Sequence, residues 1–528
     1  MEITNFLTTI LNQIQISDIF LALLGLFIVT YIHEKLTNKG PTIWPIIGMI
    51  PSLAHHFHEI HEWNTKALEK SGGSYRVKGL FGGFRGIMIA DPSKIEYILK
   101  TKFKNFPKGK YYRERFGELL GNGIFNSDDD EWKEQRRIAT SEMHTTRFVV
   151  YSLRTMQSLV HDKLLKVIEK QVNSSKENTM DLQELLLRFT FDNVCVAAFG
   201  VDPGCLALDL PEIPFAKAFE EATEYSLFRF LVPPVVWKTM RFLNVSKERK
   251  LKDAVKTVHE FAETTVKNRK ADSNKPRGNK FDQDPCDLLS RLIKMQDQQQ
   301  TTKFSDKFLK DFCISFILAG RDTSSVALVW FFWLLHENPS VENKILREIS
   351  EVVLAQRAKY KHEQSNSNIV FQAEDLEKMI YLQAALLESL RLYPSVPIDF
   401  KQAKEDDVFP DGMTIGKGHR VLYHVYAMGR LKSIWGEDCS EFKPERWFKD
   451  GQFVPENQFK YVVFNAGPRL CVGKKFAYTQ MKMVAASILL RYRVKVVEGQ
   501  VIVPKVTTTL YMKHGLHVSF QPRQLGGE

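Results

Sequence analysis

The stretch that most constrains this 528-residue chain is the ten-residue segment Phe464–Gly473, which reads Phe-Asn-Ala-Gly-Pro-Arg-Leu-Cys-Val-Gly. Its one candidate metal ligand is Cys471, and Arg469 stands two residues before it, within reach of an acidic group. Gly467 and Gly473 flank the cysteine, where the backbone can turn sharply or approach a flat ligand closely. A lone cysteine packs by default as a small apolar residue. The complete pattern F-x-x-G-x-R-x-C-x-G instead favours a loop that presents a thiolate.

The other motifs are scattered from Trp132 to Gly473, so one catalytic unit must include most of the chain. With 44% apolar residues, such a unit can bury a large core. The net charge of +11 is compatible with nucleic acid, an anionic membrane or an acidic protein partner. Because no nucleic-acid motif accompanies the charge, we expect a membrane and an acidic protein as partners, and no nucleic acid.

The cysteines show neither C-x-x-C pairs nor the spacing of a zinc site. This pattern favours a reducing compartment and no disulfide framework. The six cysteines are Cys195, Cys205, Cys286, Cys313, Cys439 and Cys471.

The segment from Ile16 to Ile32 is almost wholly apolar. As a helix it spans roughly 25 Å, which just crosses a thin bilayer. A cleaved signal peptide is the alternative, but no small-x-small cleavage site follows and no Lys or Arg precedes the run. We therefore predict that residues 1–39 form a retained, single-pass membrane anchor.

Lys35 and Lys39 follow the apolar run, and the positive-inside rule then places the N-terminus in the lumen and the rest of the chain in the cytoplasm. We expect the membrane to be that of the endoplasmic reticulum.

Residues 40–50 are rich in proline and glycine and cannot continue a helix, so they should form a stiff hinge. Residues 40–528, which include this hinge, are predicted to form the catalytic domain.

Four histidines follow the hinge, with acidic residues between them. The H-E-x-x-H spacing of a zinc site is missed, so the segment indicates a solvated amphipathic helix face. The histidines are His55, His56, His58 and His61.

Alternating apolar residues with several glycines predict a strand pair between Ser74 and Ala90. Apolar helical patterns occupy residues 181–200 and 214–231. The polar segments 267–287 and 296–303 indicate surface loops.

Two further helices carry polar motifs. Trp132 and Arg136 are four residues apart and so share one helix face, where an indole N–H and a guanidinium point the same way. Ser305 can cap a long helix that runs to about His336 and contains Ala-Gly-Arg-Asp-Thr-Ser at residues 319–324. A glycine inside a helix, here Gly320, lowers helix stability by about 1 kcal/mol, so it needs a compensating role. We expect that role to be leaving room for a small ligand.

Glu388 and Arg391 lie three residues apart in an otherwise apolar helix. Because buried charges are costly unless paired, we expect them to pair with each other and with Arg446 of the Pro-Glu-Arg-Trp segment. The prolines at 394 and 397 should keep residues 393–399 extended.

These five ordered motifs together resemble the cytochromes P450 over essentially the whole chain. The resemblance implies a mainly α fold with small β-sheets, and Cys471 as the axial ligand of the iron of haem b, since a thiolate ligand favours splitting the O–O bond. It also implies O2 as co-substrate and electrons from NADPH through a separate NADPH–cytochrome P450 reductase. Asp322 and Thr323 would manage protons, and Glu388, Arg391 and Arg446 would hold the structure beneath the haem. The cofactor-binding residues implied are Cys471, Trp132, Arg136, Arg469, Phe464, Gly467 and Gly473.

Longer runs at residues 199–205, 318–328, 381–385, 391–397 and 511–516 resemble the plant fatty-acid ω-hydroxylases of P450 family 86, branches B and C. This resemblance implies hydroxylation of the terminal carbon of long- or very-long-chain fatty acids for cutin or suberin. Phe312 stands where some animal ω-hydroxylases carry the glutamate that esterifies haem, so no ester link is expected. By family position, the residues that would line the substrate channel are Leu120, Ile124, Phe125, Phe228, Phe230, Val396 and Leu510.

Other functions remain open at this stage. In-chain hydroxylation or epoxidation of another lipophilic substrate is the nearest alternative. P450-fold proteins that rearrange peroxides commonly lose the acid and alcohol pair, which this chain keeps, and a haem sensor would need neither that pair nor an anchor.

Overall fold

The computed structural model describes residues 15–174, 179–273, 287–299, 304–360 and 369–523. Within these ranges the chain is mostly helical with small β-sheets, as the motifs predict. The helices are numbered α1 to α20 and the strands β1 to β11 in chain order.

The first described helix, α1, is Ile16–Thr37, and none of its side chains is buried. Its 22 residues have a mean hydropathy of 1.9 in the most apolar window, which makes it a candidate membrane span. A rise of 1.5 Å per residue gives it a length of about 33 Å. Its end is held to the body by Tyr31, whose ring centroid lies 5.1 Å from that of Trp44, and by an ion pair between Glu34 and Lys78.

A four-stranded sheet in the order β1-β2-β7-β4 follows the anchor, and β1 pairs with β2 as predicted. Its apolar face packs on nearby helices in a cluster around Ile89, Leu99 and Val421. The strands are β1 (Ser74–Lys78), β2 (Arg85–Ile89), β4 (Asp399–Gln402) and β7 (Arg420–Tyr423); the neighbouring helices are α2 (Ile50–His55), α3 (Ile60–Lys70) and α4 (Pro92–Glu96).

The central helix of the body is α14, Asp306–Glu337, which begins after Ser305 as predicted. The Ser305 hydroxyl accepts a hydrogen bond of 3.2 Å from the Phe308 N–H, so it caps the helix. The first half of α14 packs in an apolar cluster with α5 (Gly109–Leu120), α9 (Leu182–Phe199), α10 (Pro214–Leu231), α12 (Ser246–Ser273) and α13 (Leu288–Gln299).

The second half of α14 lies in another apolar cluster, which includes Trp330 and Phe331. The helices that contribute to this cluster include α7 (Thr146–Ser158), α15 (Pro339–Tyr360), α17 (Ile380–Leu392) and α20 (Lys474–Arg491). The remaining helices are α6 (Asp129–Met143), α8 (Leu165–Ser174), α11 (Pro234–Phe242), α16 (Ala373–Lys378), α18 (Val425–Met428) and α19 (Lys432–Trp435).

Small sheets and short turns complete the fold. A three-stranded sheet has the order β10-β11-β3, and two hairpins pair β5 with β6 and β8 with β9. Their bounds are β3 (Thr179–Asp181), β5 (Asp407–Val408), β6 (Thr414–Ile415), β8 (Phe448–Lys449), β9 (Gln452–Phe453), β10 (Tyr492–Val496) and β11 (His517–Pro522). Short 3₁₀ or π turns are Phe57–Glu59, Leu80–Gly82, Tyr97–Thr101, Phe103–Asn105, Leu159–Leu164, Pro444–Trp447 and Gly467–Arg469.

The structure corrects two expectations. The two polar segments are largely helical where the structure describes them, since α12 continues to residue 273 and α13 to residue 299. Asp287 lies just before α13, and residues 274–286 and 300–303 lie outside the described residues. The histidine segment is not a single solvated face, since His61 is only 6% exposed and its ring centroid lies 5.6 Å from that of His424. Among the residues described, no group of His, Cys, Asp and Glu is arranged to hold a metal ion.

Candidate active site

The Cys471 loop is held at both ends by the backbone. The Cys471 N–H donates a hydrogen bond of 2.8 Å to the Phe464 carbonyl. Gly467 has a φ of +59°, and any Cβ there would collide with the Leu99 carbonyl oxygen, so glycine is required for this turn. Two residues after Cys471, Gly473 caps helix α20.

Cys471 is exposed, although protein atoms lie around its side chain. This burial among protein atoms raises the pKa of its thiol, while the Gly473 N–H and the cations Arg136 and Lys474 lower it. The N-terminus of α20 adds a partial positive charge in the same place. Burial is the largest of these effects, so the pKa of the thiol is raised overall, and the donors and charges offset part of that rise.

Basic groups lie beside this thiol with few carboxylates to balance them. The Arg469 guanidinium lies 4.3 Å from the centre of the Trp132 ring, and its Nη2 donates to Asp128 at 2.9 Å. Its Nε is buried without a partner. Arg136 is half-buried on the Trp132 face of α6 and has no ion pair among the residues described. The predicted residues Trp132, Arg136 and Arg469 are therefore brought together near Cys471.

Lys401 is a basic residue that the motifs did not reveal. It is 0% exposed on β4, and its Nζ has no hydrogen-bond partner. Burial, together with repulsion from Lys108, lowers the pKa of Lys401 well below its ordinary value. The neighbouring carboxylate of Asp399 is engaged by Lys108 and the Tyr423 hydroxyl. A buried amine without a partner calls for an anion that the chain does not itself supply.

These residues fit haem, whose two propionate carboxylates need cationic donors and whose iron needs an axial ligand. Cys471 would supply the ligand, and Arg136, Arg469 and Lys401, with the Trp132 indole, would meet the propionates. The orphaned Nε of Arg469 and Nζ of Lys401 are the observations that support this fit.

The acid and alcohol of the central helix occupy different environments. The Thr323 hydroxyl is half-buried and donates 2.7 Å to the Ala319 carbonyl, which leaves its oxygen free to accept. Asp322 is 1% exposed, and its Oδ1 accepts a hydrogen bond of 2.8 Å from Arg321. Burial raises the pKa of Asp322, whereas Arg321 and Tyr511 lower it. Asp322 is therefore a buried, ion-paired acid and Thr323 the more accessible group.

Gly320 does not serve the purpose expected from the sequence. A Cβ at this position would lie 2.7 Å from Cγ2 of Val194 on α9, and α14 continues unbroken through it. The glycine therefore permits close packing of α9 against α14.

Glu388, Arg391 and Arg446 form a closed group. Arg391 Nη2 donates 2.7 Å to Glu388 Oε1, and Arg446 Nε donates 3.2 Å to the same oxygen. Trp447 Nε1 donates 3.1 Å to the other carboxylate oxygen. Arg446 also pairs with Asp438 at 2.9 Å, a partner that the sequence motif did not reveal.

The seven residues proposed for the substrate channel are not brought into one group. Leu120 and Leu510 are 0% exposed and lie in different core clusters. Phe228 lies under Lys247 Nζ, 4.4 Å from the ring centre, and so faces α12. Val396 is 36% exposed. Ile124, Phe125 and Phe230 are partly exposed, and the last two pack on the cluster that contains Leu120.

The cysteine loop, the cations beside it and the mainly helical body define a haem-thiolate protein. The sequence model of the family described as cytochrome P450 matches residues 39–520, and the chain belongs to this family.

Curated relatives support the same assignment along nearly the full length. The protein named cytochrome P450 86B1 of Arabidopsis thaliana is 48% identical over 520 residues, which cover 98% of this chain and 91% of that protein. The protein named cytochrome P450 94A2 of Vicia sativa is 40% identical over 493 residues, covering 92% and 91%. Cytochrome P450 94B1 of Arabidopsis thaliana is 38% identical over 496 residues, covering 92% of each chain. The chain is thus a P450 monooxygenase, a family that uses haem iron, O2 and a reductase partner.

Proposed function

We propose that this monooxygenase hydroxylates long- or very-long-chain fatty acids at the terminal carbon, in the synthesis of cutin or suberin monomers. The observation that carries the proposal is the 48% identity to a family 86 relative over 98% of the chain, together with the family 86 runs noted above. Partly exposed apolar rings on α5 and α10, among them Phe230, suit an alkyl chain, which gains about 0.8 kcal/mol for each buried CH₂.

Haem bound at Cys471 supplies oxygen activation with electrons that originate from NADPH. Cys471 would ligate the haem iron, and Trp132, Arg136, Arg469 and Lys401 would orient the cofactor through its carboxylates. The loop residues Phe464, Gly467 and Gly473 shape the turn that presents the thiolate.

Thr323 and Asp322 are proposed to deliver protons. The Thr323 oxygen can accept a hydrogen bond while its proton is held by the Ala319 carbonyl, so it can orient a water molecule or a bound ligand. Asp322 is tied to Arg321, so it must leave this ion pair before it can pass a proton.

Selectivity for the terminal methyl must come from positioning. Its C–H bonds are stronger than those one carbon further in, so the terminal methyl is the less reactive position. A channel that admits the chain end-on would place the terminal methyl, and not the next carbon, at the oxidising centre. The seven channel residues proposed from the family remain candidates for its walls.

The apolar helix α1 would anchor the enzyme in the endoplasmic reticulum membrane, with the catalytic domain in the cytoplasm. Fatty-acyl substrates concentrate in that bilayer, so the anchor would keep the enzyme close to them. The exposed Lys474 and Lys475 give the surface near the cysteine loop a positive charge suited to an acidic reductase.

The experiment is product analysis by mass spectrometry, with C16 to C24 fatty acids and microsomes that contain the enzyme and a reductase. We expect alcohols at the terminal carbon. In-chain alcohols or epoxides as main products, or no turnover of any chain length, would contradict the proposal and leave a membrane-anchored monooxygenase of another lipophilic substrate.

A further inference from the structure

Two guanidinium groups lie against one tyrosine ring beside the start of β7, an interior strand of the four-stranded sheet. Arg115 Cζ on α5 lies 3.3 Å from the centre of the Tyr111 ring, and Arg420 Cζ at the start of β7 lies 4.1 Å from it. Neither has a carboxylate within ion-pair distance in the part of the chain that the structure describes. Two neighbouring cations therefore lack counter-charges.

Arg115 is 1% exposed and uses only backbone partners. Its Nε donates 2.9 Å to the Arg229 carbonyl and its Nη1 donates 2.9 Å to the Tyr111 carbonyl. Its Nη2 is buried with no partner. Burial lowers the pKa of Arg115 to about 10, and repulsion from Arg420 acts in the same direction. An anion nearby would relieve both effects.

Arg420 is the more accessible of the two. It is half-buried between Tyr111 and Phe84, whose ring centre lies 5.1 Å from its Cζ. Its one hydrogen bond described is a long contact of 3.4 Å from Nη1 to the Gly83 carbonyl, and its Nε is buried without a partner. The side chain is thus held by aromatic rings and leaves polar atoms for a ligand.

The neighbouring arginines show what a compensated site looks like in the same place. Arg229 is 0% exposed and pairs with Glu248 at 2.6 Å and with Glu118 at 2.9 Å. Arg241 also pairs with Glu118. Glu118 and Glu248 are therefore paired with Arg229 and Arg241. The positive charges of Arg115 and Arg420 have no such carboxylate to balance them.

Aromatic rings connect this excess charge to the cofactor side of the molecule. Tyr111 contacts Phe230, which contacts Tyr112 and Phe400 with centroid distances of 6.0 and 5.4 Å. Beyond them Lys108 Nζ lies 4.7 Å from the Tyr112 ring centre and pairs with Asp399 beside Lys401. An alkyl chain laid along these rings would have one end at the arginines and the other towards the cationic site near Cys471.

We propose that Arg420, reinforced by the charge of Arg115, binds the carboxylate of a long-chain fatty acid whose alkyl chain runs along the aromatic rings. A guanidinium matches the two oxygens of a carboxylate, and the low dielectric of a half-buried site strengthens the pair. Because the carboxyl end is fixed, the opposite end of the chain is the part that reaches the oxidising centre. This inference rests on the proposed function and adds a residue that selects the free acid.

The test compares hexadecanoic acid with its methyl ester as ligands of the haem-loaded, full-length protein, by equilibrium dialysis in detergent. We expect Arg420→Gln to weaken binding of the acid about 10- to 100-fold, the loss expected for a hydrogen bond to a charged group. Binding of the ester should not change. Arg420→Lys should recover part of the affinity, and Arg115→Gln should weaken the acid in the same direction. The control is Arg85→Gln, an exposed arginine on the adjacent strand β2, which should bind both ligands as the unaltered protein does.

Haem content shows whether each variant is folded, and the ester provides an internal reference if Arg115→Gln disturbs the join between α5 and α10. Unchanged acid binding in Arg420→Gln, or an equal loss for acid and ester, would overturn the carboxylate site while the proposed function stands. If the unaltered protein binds and oxidises neither ligand, nor any fatty acid from C16 to C24, both the proposed function and the carboxylate site are contradicted.

Discussion

The cations around Glu388 and those around Cys471 differ in how their charges are balanced. Arg391 is fully buried and satisfied by Glu388 and by backbone carbonyls, including those of Cys439 at 2.6 Å and Glu441 at 2.8 Å. Lys401 is equally buried and has no partner. A compensated buried cation holds backbone segments together, whereas an uncompensated one destabilises the chain until a ligand pairs with it. We therefore expect the first region to serve the fold and the second to serve the proposed cofactor site.

The largest expected effect is at the ligand itself. Replacing Cys471 by Ala removes the only thiolate of the loop, so thiolate-bound haem and monooxygenase activity should both fall to background. The absorption of the reduced protein with carbon monoxide measures this, since thiolate ligation gives a band at a characteristic long wavelength. A variant that keeps this band would show that the axial ligand is elsewhere.

Breaking the compensated region should cost stability. Glu388→Ala leaves Arg391 buried without a carboxylate, a defect of about 3–5 kcal/mol. Arg446 keeps Asp438 and loses less. Urea unfolding and haem content measure the loss, and Glu437→Ala, which breaks an exposed ion pair with Lys432, is the control that should leave the unfolding midpoint nearly unchanged. A stable, haem-replete but slow Glu388→Ala enzyme would point to a catalytic role for Glu388.

Removing a charge from the uncompensated region should raise the stability of the haem-free protein, whereas removing Glu388 lowers stability. Lys401→Met removes a buried amine that has no partner, so the haem-free protein should gain about 1–3 kcal/mol in its free energy of unfolding. The haem-loaded protein should release haem more readily, because one propionate partner is lost. Unfolding of the haem-free form and transfer of haem to a scavenger measure the two effects separately. A less stable haem-free variant would contradict this assignment of Lys401.

The same lysine predicts a pH dependence. Its pKa in the folded protein lies below the ordinary value of 10.5, so the unfolded chain binds the proton over the interval between these two pKa values. The stability of the haem-free protein should therefore rise with pH across that interval relative to Lys401→Met. Parallel stability profiles for the two proteins would show that Lys401 is not buried as a free amine.

Thr323 lies outside both cation groups and should give the smallest effect on structure. Thr323→Ala should keep haem and stability but yield less product and more hydrogen peroxide for each NADPH consumed. Thr323→Ser retains the hydroxyl and is the matched control. Unchanged coupling in the alanine variant would count against proton delivery by this residue.

The parts of the fold that short-range patterns determine were accessible from the sequence. The three-residue spacing of Glu388 and Arg391 on one helix places them in contact, and the cap at Ser305 depends on the next three residues alone. The glycine at 467 likewise indicates a turn whose φ is positive.

Residues whose environment depends on distant segments could not be assigned in this way. Lys401 is buried because β4 pairs with the distant strand β7, and its sequence neighbours do not reveal this burial. Asp438 and Arg446 form an ion pair because the loop between them brings their side chains together. His61 is buried by a residue more than 300 positions away, His424. The polar ends of α12 and α13 remain helical because exposed Lys, Gln and Asp do not by themselves end a helix.

The central helix α14 also bears on how the chain is made. Its most apolar window has a mean hydropathy of 1.4, so during synthesis Asp306–Glu337 presents the membrane-insertion machinery with a second segment long enough to cross a bilayer. Arg321 and Asp322 lie at the middle of that segment, where each charged residue disfavours insertion by about 2.5–3.5 kcal/mol. The two residues that form a buried ion pair in the folded protein thus also disfavour membrane insertion of α14, whereas α1 carries only Asp18 in its first turn and Glu34 and Lys35 near its end.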